Sequence, residues 1–124
     1  MSLIVVRNGA LVTKDPSDEK VYCFDWDGDN LAPTVTISTS TFTITAISPS
    51  IVDTALTKDS EVKLTAAQAT TALQRTVALN DRATQLRLKV GTLGQTYEIA
   101  NKIVTTETPA QTKERSFRVL IQQQ

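Results

Sequence analysis

Hydrophobic and polar residues alternate in three successive runs towards the C-terminus. Leu86, Leu88 and Val90 alternate with Gln85, Arg87 and Lys89; Tyr97, Ile99 and Ile103 with Glu98, Ala100 and Lys102; Phe117, Val119 and Ile121 with Ser116, Arg118 and Gln122. A period of two sets one face of a pleated strand in a core and the other in solvent. Gly91 and Gly94 bracket one connection and Pro109 marks the other, so the pattern predicts an antiparallel meander with a hairpin turn over residues 91–94. Upstream, residues 19–27 place Tyr22, Phe24 and Trp26 on one face and Val21, Cys23 and Asp25 on the other. Residues 34–40 and 41–47 predict two further strands, with Val35, Ile37, Phe42, Ile44 and Ala46 inward and Thr or Ser outward, where threonine supplies β-propensity without an apolar surface. A less regular strand is predicted over 51–57. Asn8-Gly9 carries a type I′ turn signal between residues 3–6 and 10–13, which predicts a hairpin. Within 64–79, Thr65 followed by Gln68 fits a capping box and Leu73 and Val77 share a helical face, predicting one short helix inside 65–79. The competing pattern there is two short strands, 62–64 and 76–79.

Short strands at regular spacing, with no sustained helical period, predict an all-β fold: an immunoglobulin-like antiparallel β-sandwich of about seven short strands. A small closed barrel is the alternative. The expected core is Phe24, Trp26, Phe42, Ile44, Leu88, Tyr97, Ile99, Ile103, Phe117 and Val119. Residues 15–124 form the single sandwich domain, and residues 1–14 an N-terminal arm or first hairpin. Leu3, Ile4, Val5 and Val6 are contiguous apolar residues, so this segment is expected either to pair within its own sandwich or to serve as an assembly interface by adding a strand to a neighbouring subunit.

Composition narrows the chemistry. The chain has 124 residues, with 13 basic and 13 acidic side chains scattered along it and a formal net charge of +0. That balance argues against a nucleic-acid partner. No apolar run approaches a membrane span, and the N-terminus lacks the basic region of a secretory signal. Histidine is absent, which removes the commonest general base and the usual triads. Cys23 is the lone cysteine, which excludes an internal disulfide and reads as a packed thiol. No catalytic residue and no cofactor site emerges. Asp25, Asp27 and Asp29 are the one acidic concentration; as a calcium loop they lack the closing Glu, since Thr36 stands at that position, so a turn with solvated carboxylates is the favoured reading and a metal site the alternative. Residues 91–94 lack the spacing and the lysine of a phosphate loop. Lys113, Glu114 and Arg115 read as a solvent-facing loop end. A carbohydrate- or calcium-binding β-sandwich module is the alternative of a different class; its aromatic platform would have to come from Tyr22, Trp26 and Tyr97.

Taken as a set, several motifs resemble a known family. They are Asp15-Pro16 with Glu19, Tyr22-Cys23-Phe24-Asp25-Trp26, the run Thr36-Ile37-Ser38-Thr39-Ser40-Thr41, Gly91-Thr92-Leu93-Gly94-Gln95-Thr96-Tyr97, Asn101-Lys102-Ile103-Val104-Thr105-Thr106, and Arg115-Ser116-Phe117. This pattern is similar to that of small tailed-bacteriophage virion proteins of the fibre–tail adaptor, neck and decoration type. The resemblance covers residues 15–26, 34–41 and 84–121 and leaves 49–82 unmatched. It implies a short β-sandwich without enzymatic activity or cofactor: a structural virion protein acting as a ring-forming adaptor in the neck or tail, in multiple copies, with portal, neck, tail or fibre proteins as partners. Capsid decoration is the close variant.

Overall fold

Tyr22, Phe24 and Trp26 project from one strand towards Phe42 and Phe117 of an opposing layer, and the fold is built around that meeting. In the computed structural model, residues 3–27 and 31–123 are described. The strands are β1 (Leu3–Val6), β2 (Leu11–Lys14), β3 (Lys20–Asp25), β4 (Ile37–Ser48), β5 (Leu56–Lys63), β6 (Ala83–Val90), β7 (Thr96–Thr105) and β8 (Thr112–Ile121), with helix α1 (Ala66–Leu73) between β5 and β6. They form two four-stranded sheets, ordered β1-β3-β6-β5 and β2-β8-β7-β4. Strands β3, β6 and β5 facing β4, β7 and β8 reproduce the two layers of a constant-type immunoglobulin sandwich. The all-β sandwich expectation is borne out.

The core fills the space between the sheets. The Tyr22 and Phe117 rings lie 5.1 Å apart, Phe24 and Phe117 meet edge-on at 5.6 Å, and Phe24 stacks on Phe42 at 6.3 Å. Nine of the ten expected core residues are buried; Ile44 is half-buried and packs against the cluster from the β4 edge. The indole N–H of Trp26 is satisfied inside the core. Nε1 donates to Asn101 Oδ1 at 3.0 Å and Thr84 Oγ1 at 3.2 Å, Thr84 donates to the same Asn101 oxygen at 2.6 Å, and Asn101 Nδ2 donates to Ser40 Oγ at 2.9 Å. This network joins both sheets, and each buried polar group in it has a partner.

The connections depart from the expected ones in several places. The segment 91–94 is not a hairpin: β6 belongs to one sheet and β7 to the other, so the chain arches across the sandwich. Gly91, at φ +105°, is required there, because an added Cβ would stand 2.7 Å from Ile121 Cδ1. Tyr97 locks the arch; its hydroxyl accepts from the Thr92 amide at 3.1 Å, a tyrosine corner in form. The predicted three-strand meander therefore shrinks to the β7–β8 pair. At the N-terminus, Asn8-Gly9 does not fold Leu11–Lys14 back onto Leu3–Val6. Instead β1 lies parallel to β3, from Leu3 opposite Val21 to Val6 opposite Phe24, and β2 lies parallel to β8. Gly9 N–H donates to Ser116 O at 2.7 Å, and the Ser116 amide donates to Asn8 Oδ1 at 2.9 Å, so the turn is held by β8. Residues 34–40 and 41–47 are one strand from Ile37, because nothing at Ser40-Thr41 breaks the backbone. The strand expected at 51–57 starts only at Leu56, since Asp53 turns the chain by accepting from the Ala55 amide at 2.8 Å.

Helix α1 starts at the predicted capping box, with Thr65 as N-cap and Gln68 answering it, and stops at Gln74 in the left-handed conformation. It covers part of the outer face of the first sheet. Leu64, Ala69 and Val77 form a second small apolar cluster with Cys23 and Ala83, two outward-pointing strand residues. Among the described residues, no helix is long and apolar enough to cross a membrane.

Candidate functional site

The polar clusters come first, because chemistry would need them. Asp25 and Asp27 are arginine partners. Arg75 Nη1 lies 2.8 Å from Asp25 Oδ2 and its Nη2 lies 2.9 Å from Asp27 Oδ2. Arg82, only 4% exposed, donates from Nε to Asp27 Oδ1 at 2.5 Å, and from Nη1 to the carbonyls of Ala32, at 2.8 Å, and Val35. Burial works against the charged form of Asp27, but hydrogen bonds and charge from Arg82 and then Arg75 outweigh it and hold the carboxyl below its usual range. Both carboxylates are thus neutralised by guanidinium groups and tie the 75–82 segment to the end of β3. Asp29 lies outside the described residues. Among the described residues, no group of three or more His, Cys, Asp or Glu side chains is arranged to hold a metal ion.

The other candidates from sequence are placed as follows. Cys23 is fully buried beneath α1, and burial, with a smaller contribution from Asp25, pushes its thiol up to about 12, far from a nucleophile's range. Tyr22, Trp26 and Tyr97 are all buried in the core, so they form no aromatic platform for a sugar. Arg115 is not a solvent-facing loop residue: its guanidinium sits 4.6 Å over the Trp26 ring and donates to the Asp25 carbonyl at 3.1 Å. Of the four apolar residues in β1, Val6 belongs to the core and Ile4 packs against it, while Leu3 and Val5 face outward at 37% and 45% exposure.

What the surface offers is edges and loop tips. One side of the sandwich, where β4 and β5 are the edges, is sealed by side chains of β5. Glu61 Oε2 accepts from the Phe42 amide at 2.9 Å, Lys58 Nζ donates to the Phe42 carbonyl at 2.6 Å, and Lys63 Nζ donates to the Ser38 carbonyl at 2.9 Å. Strand β5 also carries a register shift between Lys58 and Ser60. Charges and a bulge on an edge strand block pairing with another chain. Sequence reasoning missed this comb; the one available signal was the charge density of Lys58, Asp59, Glu61 and Lys63. On the opposite side the edge strands are β1, which carries no charge, and β2, whose one charged residue, Lys14, is buried and donates to the Val90 carbonyl at 2.7 Å; the exposed Arg7 lies between them. At the β4–β5 end, Ile51 and Val52 stand out into solvent.

The family model described as podophage GP4 fiber-tail adaptor protein gp77 matches residues 14–120, and the chain belongs to that family. The resemblance to phage fibre–tail adaptors in the sequence motifs is therefore borne out. Among solved structures, the chain is similar to the cysteine protease inhibitor EhICP2 from Entamoeba histolytica, with a TM-score of 0.50 and 9% identity over 97% of this chain and 95% of that one. At that identity the likeness is one of fold alone. No curated protein matches the sequence.

Proposed function

We propose that this chain is a non-enzymatic structural protein of the phage virion, an adaptor in the neck or tail that joins fibres to the tail and is present as repeated copies in a ring. The observation that carries the reading is the family match over residues 14–120. The surface supports it: Asp25 and Asp27 are committed to Arg75 and Arg82, while uncharged apolar side chains stand exposed on β1 and at residue positions 51 and 52. Contacts of modest strength serve such a protein well, because many copies engaged at once supply avidity. Leu3 and Val5 are the assembly surface in this reading, with Ile4 and Val6 anchoring the strand from behind.

The test is a phage stock in which the chain is deleted, with particles imaged by electron microscopy. Particles with tails that lack fibres, restored by adding the purified chain, are the expected result. A full complement of fibres on deleted particles refutes the adaptor role. A Leu3→Asp/Val5→Asp chain that folds normally yet fails to restore the particles places the assembly surface on β1.

A further inference from the structure

Residues 3–14 run along the β1–β2 side of the sandwich as a strap. β1 pairs with β3 and β2 with β8, each over four residues and each in parallel, the less stable ladder geometry. Between the two strands the chain crosses from one sheet to the other. It is fixed there by Gly9 N–H on Ser116 O and by the Arg118 amide, which donates to Ala10 O at 2.8 Å. Val6 is buried in the core, and Ile4, Ala10 and Val12 pack against it. Neither sheet depends on the strap for its own ladder, because β3 is also paired with β6 and β8 with β7.

Three features that cost folding free energy lie along this strap. The first is the Tyr22 hydroxyl, on the β3 residue opposite Ile4; it is buried without a hydrogen-bond partner and so bears its full desolvation cost. The second is Lys14, the last residue of β2, which is fully buried. Its ammonium donates to the carbonyls of Asp15, at 2.9 Å, and Val90, at 2.7 Å, and has no carboxylate within ion-pair distance among the described residues. Burial pulls its pKa below the ordinary lysine value, against the weaker opposing charges of Asp18 and Asp15. The third is Val90, which takes the Lys14 bond. Its φ is +67°, where a β-branched side chain crowds its own backbone. The other non-glycine residues at positive φ among the described ones, Gln74 and Asp81, are not β-branched. Lifting the strap relieves all three: the hydroxyl and the ammonium reach water, and Val90, freed from Lys14, returns to the extended region.

We propose that residues 3–14 form a strap that opens as a unit, hinged at the turn over residues 15–18, while the rest of the sandwich stays folded. Burial of Ile4, Val6 and Val12 keeps the closed state dominant, and the three costs beneath the strap bring the open state within reach of it. Opening bares the backbone edges of β3 and β8, which the closed strap covers. The device belongs to the chain by itself and does not rest on the adaptor reading.

The test places a thiol beneath the strap of the full chain. Val6 is 4% exposed, and Val6→Cys changes its volume little, so the fold is kept, as circular dichroism and a melting curve verify. The variant is treated with a disulfide reagent in native buffer, and peptide mass mapping follows position 6 separately from Cys23. Amide exchange in β7, the strand between β4 and β8, marks global opening. The thiol at position 6 is expected to react about tenfold or more faster than global opening allows, with a shallower urea dependence. The amides of Gly9 and Arg118, which are bonded across the strap, should report the same opening constant as the thiol. The decisive arm removes the costs of the closed state. Tyr22→Phe deletes the unmet hydroxyl and Val90→Gly deletes the strain. Each should make opening rarer, Tyr22→Phe by about fivefold or more. An edge that merely frays would keep its rate in both. A thiol that reacts only as fast as global unfolding allows, strap amides that disagree with the thiol, or an opening that both substitutions leave unslowed overturns the proposal.

Discussion

Replacing Trp26 with Ala should be the most damaging single change in the core. The indole is fully buried and touches both layers: its ring lies 6.2 Å from Phe24, its Nε1 reaches Asn101 and Thr84, and Arg115 lies over its face. Truncating a large buried aromatic costs about 3–5 kcal/mol through lost transfer energy and the residual cavity. The cation–π contact with Arg115, which is 8% exposed, adds roughly 0.5–2 kcal/mol. The lost hydrogen bond adds little, because Thr84 still donates to Asn101 Oδ1 and the acceptor is not orphaned. The sum, about 3.5–7 kcal/mol, is a large share of the 5–15 kcal/mol that holds a typical domain together. Urea unfolding followed by far-UV circular dichroism measures it, since the variant has no tryptophan to report by fluorescence. Trp26→Phe keeps a ring in the cavity and should lose less than half as much. A Trp26→Ala midpoint indistinguishable from the parent's would refute the assignment of Trp26 as the joint between sheets. So would a Trp26→Phe variant as unstable as Trp26→Ala, which would place the energy in the Nε1 hydrogen bonds and not in packing.

Gly91→Ala should destabilise by about 2 kcal/mol or more, from a positive φ and a Cβ 2.7 Å from Ile121 Cδ1, and chemical denaturation reads the loss directly. Stability should fall with acid through Asp27: its folded pKa is depressed, so its contribution is complete above the unfolded carboxyl value of about 3.9 and is lost as pH drops through the lower folded value. Asp27→Asn should flatten that limb of a melting-temperature profile; an unchanged acid limb contradicts the assignment. Calcium at sub-millimolar levels should leave the melting temperature where it is, because arginines occupy Asp25 and Asp27; a rise of several degrees would overturn that account. Cys23, with its thiol raised to about 12, should react with a disulfide reagent only after denaturant unfolds the sandwich.

Facing was legible in the sequence wherever the alternation was unbroken. Strands β3, β6, β7 and β8 bury the residues that their period of two assigns inward, because the pleat leaves no other way to hide Tyr22, Leu88, Ile99 or Phe117; the exception is Val90, which the alternation sets inward but which is 48% exposed, because the backbone turns to a positive φ of 67° there as β6 ends. The α1 cap was legible for a similar reason: Thr65 and Gln68 satisfy each other's backbone donors whatever surrounds them. Sheet membership was not legible. A Gly-x-x-Gly segment turns a chain equally well within one sheet or across two, and one deciding fact, the Ile121 side chain over Gly91, comes from residues brought together only by the fold. The same holds at Asn8-Gly9, whose turn is held by Ser116. Cys23 pointed outward by its period yet is buried, since nothing local announces that α1 will lie over it. The paired state of Asp27 was hidden too: Arg82 is 55 positions away in sequence.

The two open sides of the sandwich are treated in opposite ways, and that asymmetry constrains where another chain could add a strand. On the β4–β5 side, Lys58, Glu61 and Lys63 occupy backbone groups of the long β4 edge, and β5 is charged and bulged. A second chain adding a strand there would have to break charge-assisted hydrogen bonds and accept unpaired lysines, a cost that backbone pairing over a few residues does not offset. The β1 edge lacks any such guard: its four residues, Leu3, Ile4, Val5 and Val6, carry no charge, no proline and no register shift. Two identical edges of that length could still pair with each other, giving a closed dimer and consuming the surface. Guarding one edge and leaving the other open therefore confines strand addition to the β1 side and works against runaway sheet extension.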